Sequence, residues 1–198
     1  MVNLVDSVPL FLACSTDEGG VENMRVERGT LYSLGARKVA IFGLGKTGSA
    51  PMYASKGQTT IDSVNSATEL ADEKIKSLVD VLNKDQPGAK FIYLNMTSIA
   101  LGDPTPFGIK VLDAPCCNVS TTIAAGQCIG GGVPCNNRAE HIFFDSFHPT
   151  EIANTLTAER AYKAVLPTDA YPYDISTLVI QNNTPNNIIQ DFSSVNGS

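Results

Sequence analysis

The 198-residue sequence is short of positive charge and of uninterrupted apolar runs, and it has few histidines. Fourteen Lys and Arg stand against 20 Asp and Glu, a net charge of -6. That is the wrong sign for tracking a phosphate backbone or an anionic membrane, so nucleic acid is not expected as a partner. No stretch approaches the roughly 18 apolar residues that a bilayer span needs, and the chain is not expected to cross a membrane. There is no internal repeat and no linker that would split it. The composition is that of one ordinary globular domain, 43% hydrophobic and 17% charged.

The N-terminus also lacks something. Met1 to Cys14, MVNLVDSVPLFLAC, has no basic residue, and Asp6 and Pro9 interrupt its apolar run. It therefore makes a poor secretory signal. The cysteines argue the other way. Cys116, Cys117, Cys128 and Cys135 share one short window, with Cys14 apart. Adjacent cysteines rarely bridge each other, so Cys116 and Cys117 would each reach one of Cys128 and Cys135, in either of two arrangements. A four-thiolate zinc site is the competing reading, but the spacing lacks the C-x2-C knuckles such sites favour. Disulfides imply an oxidising compartment. Sequons at Asn95, Asn118, Asn182 and Asn196 point the same way.

Hydrophobic periodicity sets the framework. Residues 15 to 29 are polar and glycine-broken and read as loop. Arg37 to Leu44 (RKVAIFGL) is a β-rich run ended by glycine, as expected of a strand buried in a parallel sheet. Gly45 to Thr60 reads as loop. From Asp62 to Lys84, Val64, Ala67, Ala71, Ile75, Leu78 and Leu82 recur at helical spacing, and Gln86-Pro87-Gly88 stops the helix. Lys90 to Met96 reads as a second buried strand, completing a βαβ unit. Residues 102 to 140 read as one long loop. Thr150 can cap a helix running to about Ala164, and the chain turns polar after Pro167, with a frayed end from Gln181.

Two motifs bear on chemistry. Ala40 to Thr47, AIFGLGKT, matches a relaxed phosphate-loop pattern, but such a loop must open directly into a helix. Gly48, Pro51 and Gly57 deny it one, and a plain glycine turn is the reading taken. The second is FFDSFHPT, residues 143 to 150. Asp145 and His148 are three apart, so a tight turn would let the carboxylate hold the imidazole Nδ1–H and leave Nε2 as a base. A purely structural Asp-His contact at a helix start competes with that reading. His141, the other histidine, reads as a surface or packing residue.

LGARKVAIFGLGKTGSAP (34 to 51), Asn65-Ser66-Ala67, Lys90 to Asn95, Ala114 to Asn118, Cys135 to Arg138 and above all FFDSFHPTEIAN (143 to 154) agree in order and spacing with one family. Over roughly residues 30 to 175 the chain resembles the C-terminal half of plant GDSL esterase/lipases, members of the SGNH hydrolase superfamily. The resemblance implies an incomplete flavodoxin-like three-layer α/β/α sandwich with a parallel sheet. It also implies hydrolysis of carboxylic esters, small-molecule or lipid, by a serine, histidine and aspartate triad without metal or organic cofactor. His148 would be the general base, Asp145 its orienting carboxylate, and the protein a secreted, disulfide-bonded glycoprotein. The organisation expected is a leader over 1–29, a hydrolase-like domain over 30–178 and a polar tail over 179–198.

Other family blocks are missing. Neither the GDSL-type serine block nor the two oxyanion blocks can be found, and Val5-Asp6-Ser7 lacks the glycine and leucine that would frame a nucleophile at Ser7. Ser49 and Ile61 stand where plant members usually have cysteines. Loss of a serine nucleophile alone costs on the order of a million-fold in turnover. Two readings follow, an ester hydrolase that carries only its base half, or a non-catalytic truncated remnant or binding protein. On either, a sheet short of its neighbouring strands should expose an unpaired edge and apolar surface.

Overall fold

The computed structural model describes residues 29–100, 103–122 and 125–181. Ser7, Cys14, the leader apart from Gly29, the sequons at Asn182 and Asn196 and nearly all of the polar tail lie outside the described residues. A helical turn over 29–33 (α1) leads into strand β1, Lys38–Phe42. A 3-10 turn at Thr47–Ser49 and the short helix α2, Pro51–Ala54, interrupt the expected loop. Pro51 occupies the first turn of α2, where its missing N–H costs nothing. Helix α3 then runs from Gln58–Asp85, one turn longer at its start than periodicity alone indicated. Its added turn, Gln58-Thr59-Thr60-Ile61, is polar at three of four positions and half-buried only at Thr60 and Ile61, so one apolar residue is too little to extend the pattern.

Strand β2, Lys90–Leu94, lies parallel to β1 with Val39 opposite Phe91 and Ile41 opposite Tyr93, as the βαβ reading required. The pleat divides β2 between two cores. Phe91 and Tyr93 face Ile75, Leu78, Val79 and Leu82 of α3. Ile92 and Leu94 face the opposite layer, made by α4 (Met96–Ala100), α5 (Glu151–Tyr162) and α6 (Ile175–Ile180) through Ile99, Ala161 and Leu178. Helices thus cover both faces, giving three layers. Full burial of Phe91, Ile92 and Leu94 contributes roughly 1.5–3 kcal/mol per side chain. Asn83 clamps the start of β2, accepting from the Phe91 amide and donating to its carbonyl, each at 2.9 Å.

Three corrections to the sequence reading concern short elements. Residues 102 to 140 hold strand β3, Val111–Pro115, which pairs parallel with β4, His141–Phe143, in a separate two-stranded sheet. The segment after Pro167 contains β5, Ala170–Tyr171, antiparallel to β2, so the main sheet is mixed, in the order β1-β2-β5. The same segment ends in α6, capped by Asp174, whose side chain accepts from the Thr177 amide. A two-residue strand and a six-residue helix are too short to show periodicity.

Among the described residues β1 pairs only with β2. Phe42, at its carboxyl end, is 49% exposed, and Leu44 just beyond it is also exposed. Asp169 anchors the opposite side. It is fully buried, with Arg160 donating from Nη2 at 2.6 Å and Ser98 from Oγ at 2.7 Å. Amides of Val165 and Leu166 complete its shell at 3.0 Å each. No helix among the described residues is long and apolar enough to cross a membrane.

Candidate active site

The turn after β4 builds the site. Asp145 is followed two and three residues later by Phe147 and His148, and both amides donate to its Oδ1, at 2.8 and 2.7 Å. This is the local side-chain-to-backbone pattern that Asp favours at turns. The Phe144 amide donates to the His148 carbonyl at 2.8 Å and closes the turn. Pro149 then leads to Thr150, the cap of α5, whose hydroxyl accepts from the Ala153 amide and donates to the His141 carbonyl. The cap and helix agree with the sequence reading.

With Oδ1 engaged by the backbone, Oδ2 faces the His148 ring, 2.7 Å from Nδ1. Asp145 is nearly covered, its side chain 7% exposed, whereas that of His148 is 57% exposed. Burial pushes the Asp145 carboxyl up, but the His148 and Phe147 amides and the facing imidazole outweigh it and hold the group below its ordinary value. A carboxylate that stays ionised favours the tautomer with hydrogen on Nδ1, which leaves the Nε2 lone pair as a proton acceptor. Among the described residues no side chain is hydrogen-bonded to Nε2. The pair can orient an imidazole and stabilise its cation.

The cysteines form Cys116–Cys135 and Cys117–Cys128, which selects one of the two arrangements left open by the sequence. The pairing locks the segment beside the turn, where the Cys116 amide donates to the carbonyls of Phe143 and Phe144. His141 is buried, its Nδ1 3.2 Å from the Ala114 carbonyl, and serves packing. Asn118 is exposed, while the Asn95 side chain accepts from the Ser98 amide.

The phosphate-loop lookalike has a physical counter-argument in the structure. Amides of Leu44 and Gly45, which would cradle a phosphate, instead donate to Asp72 of α3, at 2.7 and 3.2 Å. Gly43 is required there, since a Cβ would sit 2.6 Å from the Tyr93 hydroxyl oxygen. Burial raises the Asp72 carboxyl and, with that carboxylate beside it, the Tyr93 phenol. Asp72, Tyr93, Lys46 and Asn95 line a cleft of about 240 Å³ at the carboxyl ends of β1 and β2, and His148 is not among its lining residues. The sequence reading passed over Asp72. Its signal was a charge beside Ala71 and Ile75 on the buried stripe of a helix.

Comparison with known proteins decides the family. The family model for GDSL-like Lipase/Acylhydrolase matches residues 20–161. The chain belongs to this family. In Arabidopsis thaliana, GDSL esterase/lipase At1g29670 is 42% identical over 154 residues, covering 75% of this chain and 42% of that protein. GDSL esterase/lipase At5g45670 is 38% identical over 164 residues, 79% of this chain and 44% of that protein. GDSL esterase/lipase At4g18970 is 38% identical over 155 residues, 75% and 43% respectively. The GDSL chain therefore spans less than half the length of each of these relatives. The three-layer arrangement and the parallel β1-β2 pair fit an incomplete SGNH-type α/β fold.

Proposed function

We propose that this chain carries the base half of a carboxylic ester hydrolase, with His148 as general base and Asp145 as its orienting carboxylate. The 2.7 Å contact between His148 Nδ1 and a buried, amide-anchored Asp145 supports this most directly. In that role Nε2 would take the proton of an attacking hydroxyl and return it to the leaving alcohol. The substrate class is an ester of a small molecule or lipid.

The sequence supplies no serine or oxyanion block, so the chain on its own turns over no ester. Its hydrolase-like unit spans residues 30–178. Secretion and glycosylation at the exposed Asn118 agree with the two disulfides. A second reading, a non-catalytic binding protein, draws on the half-exposed Phe42 on the side of β1 that has no strand partner among the described residues.

The test is hydrolysis of p-nitrophenyl butyrate by the purified chain. The expected rate equals that of buffer. Turnover that disappears in His148→Ala would overturn the inactive part of the proposal while retaining the role of His148. Turnover that persists in His148→Ala would overturn that role.

A further inference from the structure

The loop between Cys117 and Cys128 is built around one glycine. Val119 bridges Cys128 in antiparallel fashion, the Ser120 amide donates to the Gln127 carbonyl and the Ile129 amide to the Asn118 carbonyl, and the disulfide closes the resulting hairpin. On its returning arm Gly126 adopts φ +88°, and its amide donates to the Ser120 carbonyl at 2.7 Å. Its own carbonyl accepts from the Ser146 amide at 2.9 Å. The returning arm is thus bonded directly to the turn that carries Asp145 and His148.

There is no room at this contact for a side chain. A Cβ on Gly126 would lie 2.6 Å from Cζ of Phe147 and 3.1 Å from Cβ of Ser146. Phe147 in turn meets the His148 ring edge-on, with centroids 5.6 Å apart and planes at 87°. The Phe147 amide is also one of the two that anchor Asp145. A displacement of Phe147 would reach both members of the pair.

We propose that Gly126 is a positioning residue: the hairpin closed by Cys117–Cys128 presses its bare backbone onto Phe147 and Ser146, and that contact holds the His148 ring on Asp145. The inference rests on the reading of His148 as a base. Sub-ångström placement of an acid-base group is what a supporting shell supplies, and its loss degrades catalysis without removing any reacting atom.

The test reads the imidazole directly and needs no turnover. Histidine ring nitrogens are observed by ¹⁵N NMR on the full chain at about pH 9, where an ordinary imidazole is neutral. Wild type should show His148 fixed in the Nδ1–H tautomer. Gly126→Ala and Phe147→Ala should shift His148 to an average of both tautomers and leave His141 unchanged. Gly131→Ala is the matched control, because Gly131 has φ +76° yet nothing within 4 Å of an added Cβ. It should look like wild type.

Retention of the fixed tautomer in Gly126→Ala and Phe147→Ala would overturn the inference. If Gly126→Ala fails to fold, Phe147→Ala alone decides it. An averaged wild-type ring would overturn both this inference and the reading of His148. A fixed wild-type ring that the two variants release, in a chain without ester turnover, would support the positioning role independently of activity.

Discussion

Asp145 divides its two oxygens between tasks, Oδ1 taking the amides of Phe147 and His148 and Oδ2 standing 2.7 Å from His148 Nδ1. The backbone bonds hold the carboxylate without using the oxygen that meets the imidazole. Orientation of the ring is therefore built into the turn.

That division predicts the effect of Asp145→Asn. An amide oxygen can still accept the two backbone N–H groups, but its NH₂ would face Nδ1 and drive the imidazole to the Nε2–H tautomer. His148 in the variant should show hydrogen on Nε2 by ¹⁵N NMR, with the fold retained. The same substitution tests a pH effect. Because the folded Asp145 pKa is depressed, its stabilisation is present above the ordinary value of 3.8 and is lost as pH falls through the lower folded value. Chemical denaturation between about pH 5 and 2 should show a shallower loss of stability in Asp145→Asn than in wild type.

Asp174, the cap of α6, follows the same sign. Burial raises it, but the Thr177 amide, the Thr177 and Ser176 hydroxyls and the Ala164 amide hold it down at about 2. Its contribution is full above the ordinary value of 3.8 and fades toward pH 2. Asp174→Asn should flatten the acid limb of the stability curve and leave stability at pH 7 less changed than Asp174→Ala.

Asp169 offers the largest single loss. Its removal leaves the Arg160 guanidinium, itself only 17% exposed, without its carboxylate. Asp169→Ala should lower unfolding free energy by about 3–5 kcal/mol in denaturant titration, the range for breaking a buried pair from one side. Thr150→Ala, which deletes a helix cap, should cost only about 1 kcal/mol.

Each disulfide closes a loop of modest size, with separations of 19 and 11 residues. In the chain-entropy picture that corresponds to about 3 kcal/mol apiece. Mild reduction should lower the melting temperature, and Cys117→Ser/Cys128→Ser should release the His148 tautomer before the β1-β2 core melts. Amide exchange at Phe91 and Leu94 reports that core.

The exposed end of β1 predicts binding of a hydrophobic dye. Phe42→Lys should weaken that fluorescence without lowering the melting temperature, because Phe42 is already half solvated.

How far the sequence foretold all this depends on the length of each element. Six apolar positions over six turns made α3 legible, and continuous β-formers made β1 and β2 so. Strand β3 was hidden because Asp113 and Pro115 break its pattern, and β5 because two residues carry no period. At the site, the Asp-x-x-His spacing announced a contact that Asx-type turns commonly make. Its support by Gly126 was not legible, since the contact joins residues 20 apart through a disulfide hairpin, and no local pattern encodes it.

On the proposed function, the Asp145–His148 pair has no serine nucleophile to serve among these 198 residues. Treatment of the purified chain with a serine-directed fluorophosphonate, followed by intact-mass and peptide analysis, tests it most directly. No covalent adduct is expected. A stoichiometric adduct on Ser7 or any other serine, lost in His148→Ala, would contradict it.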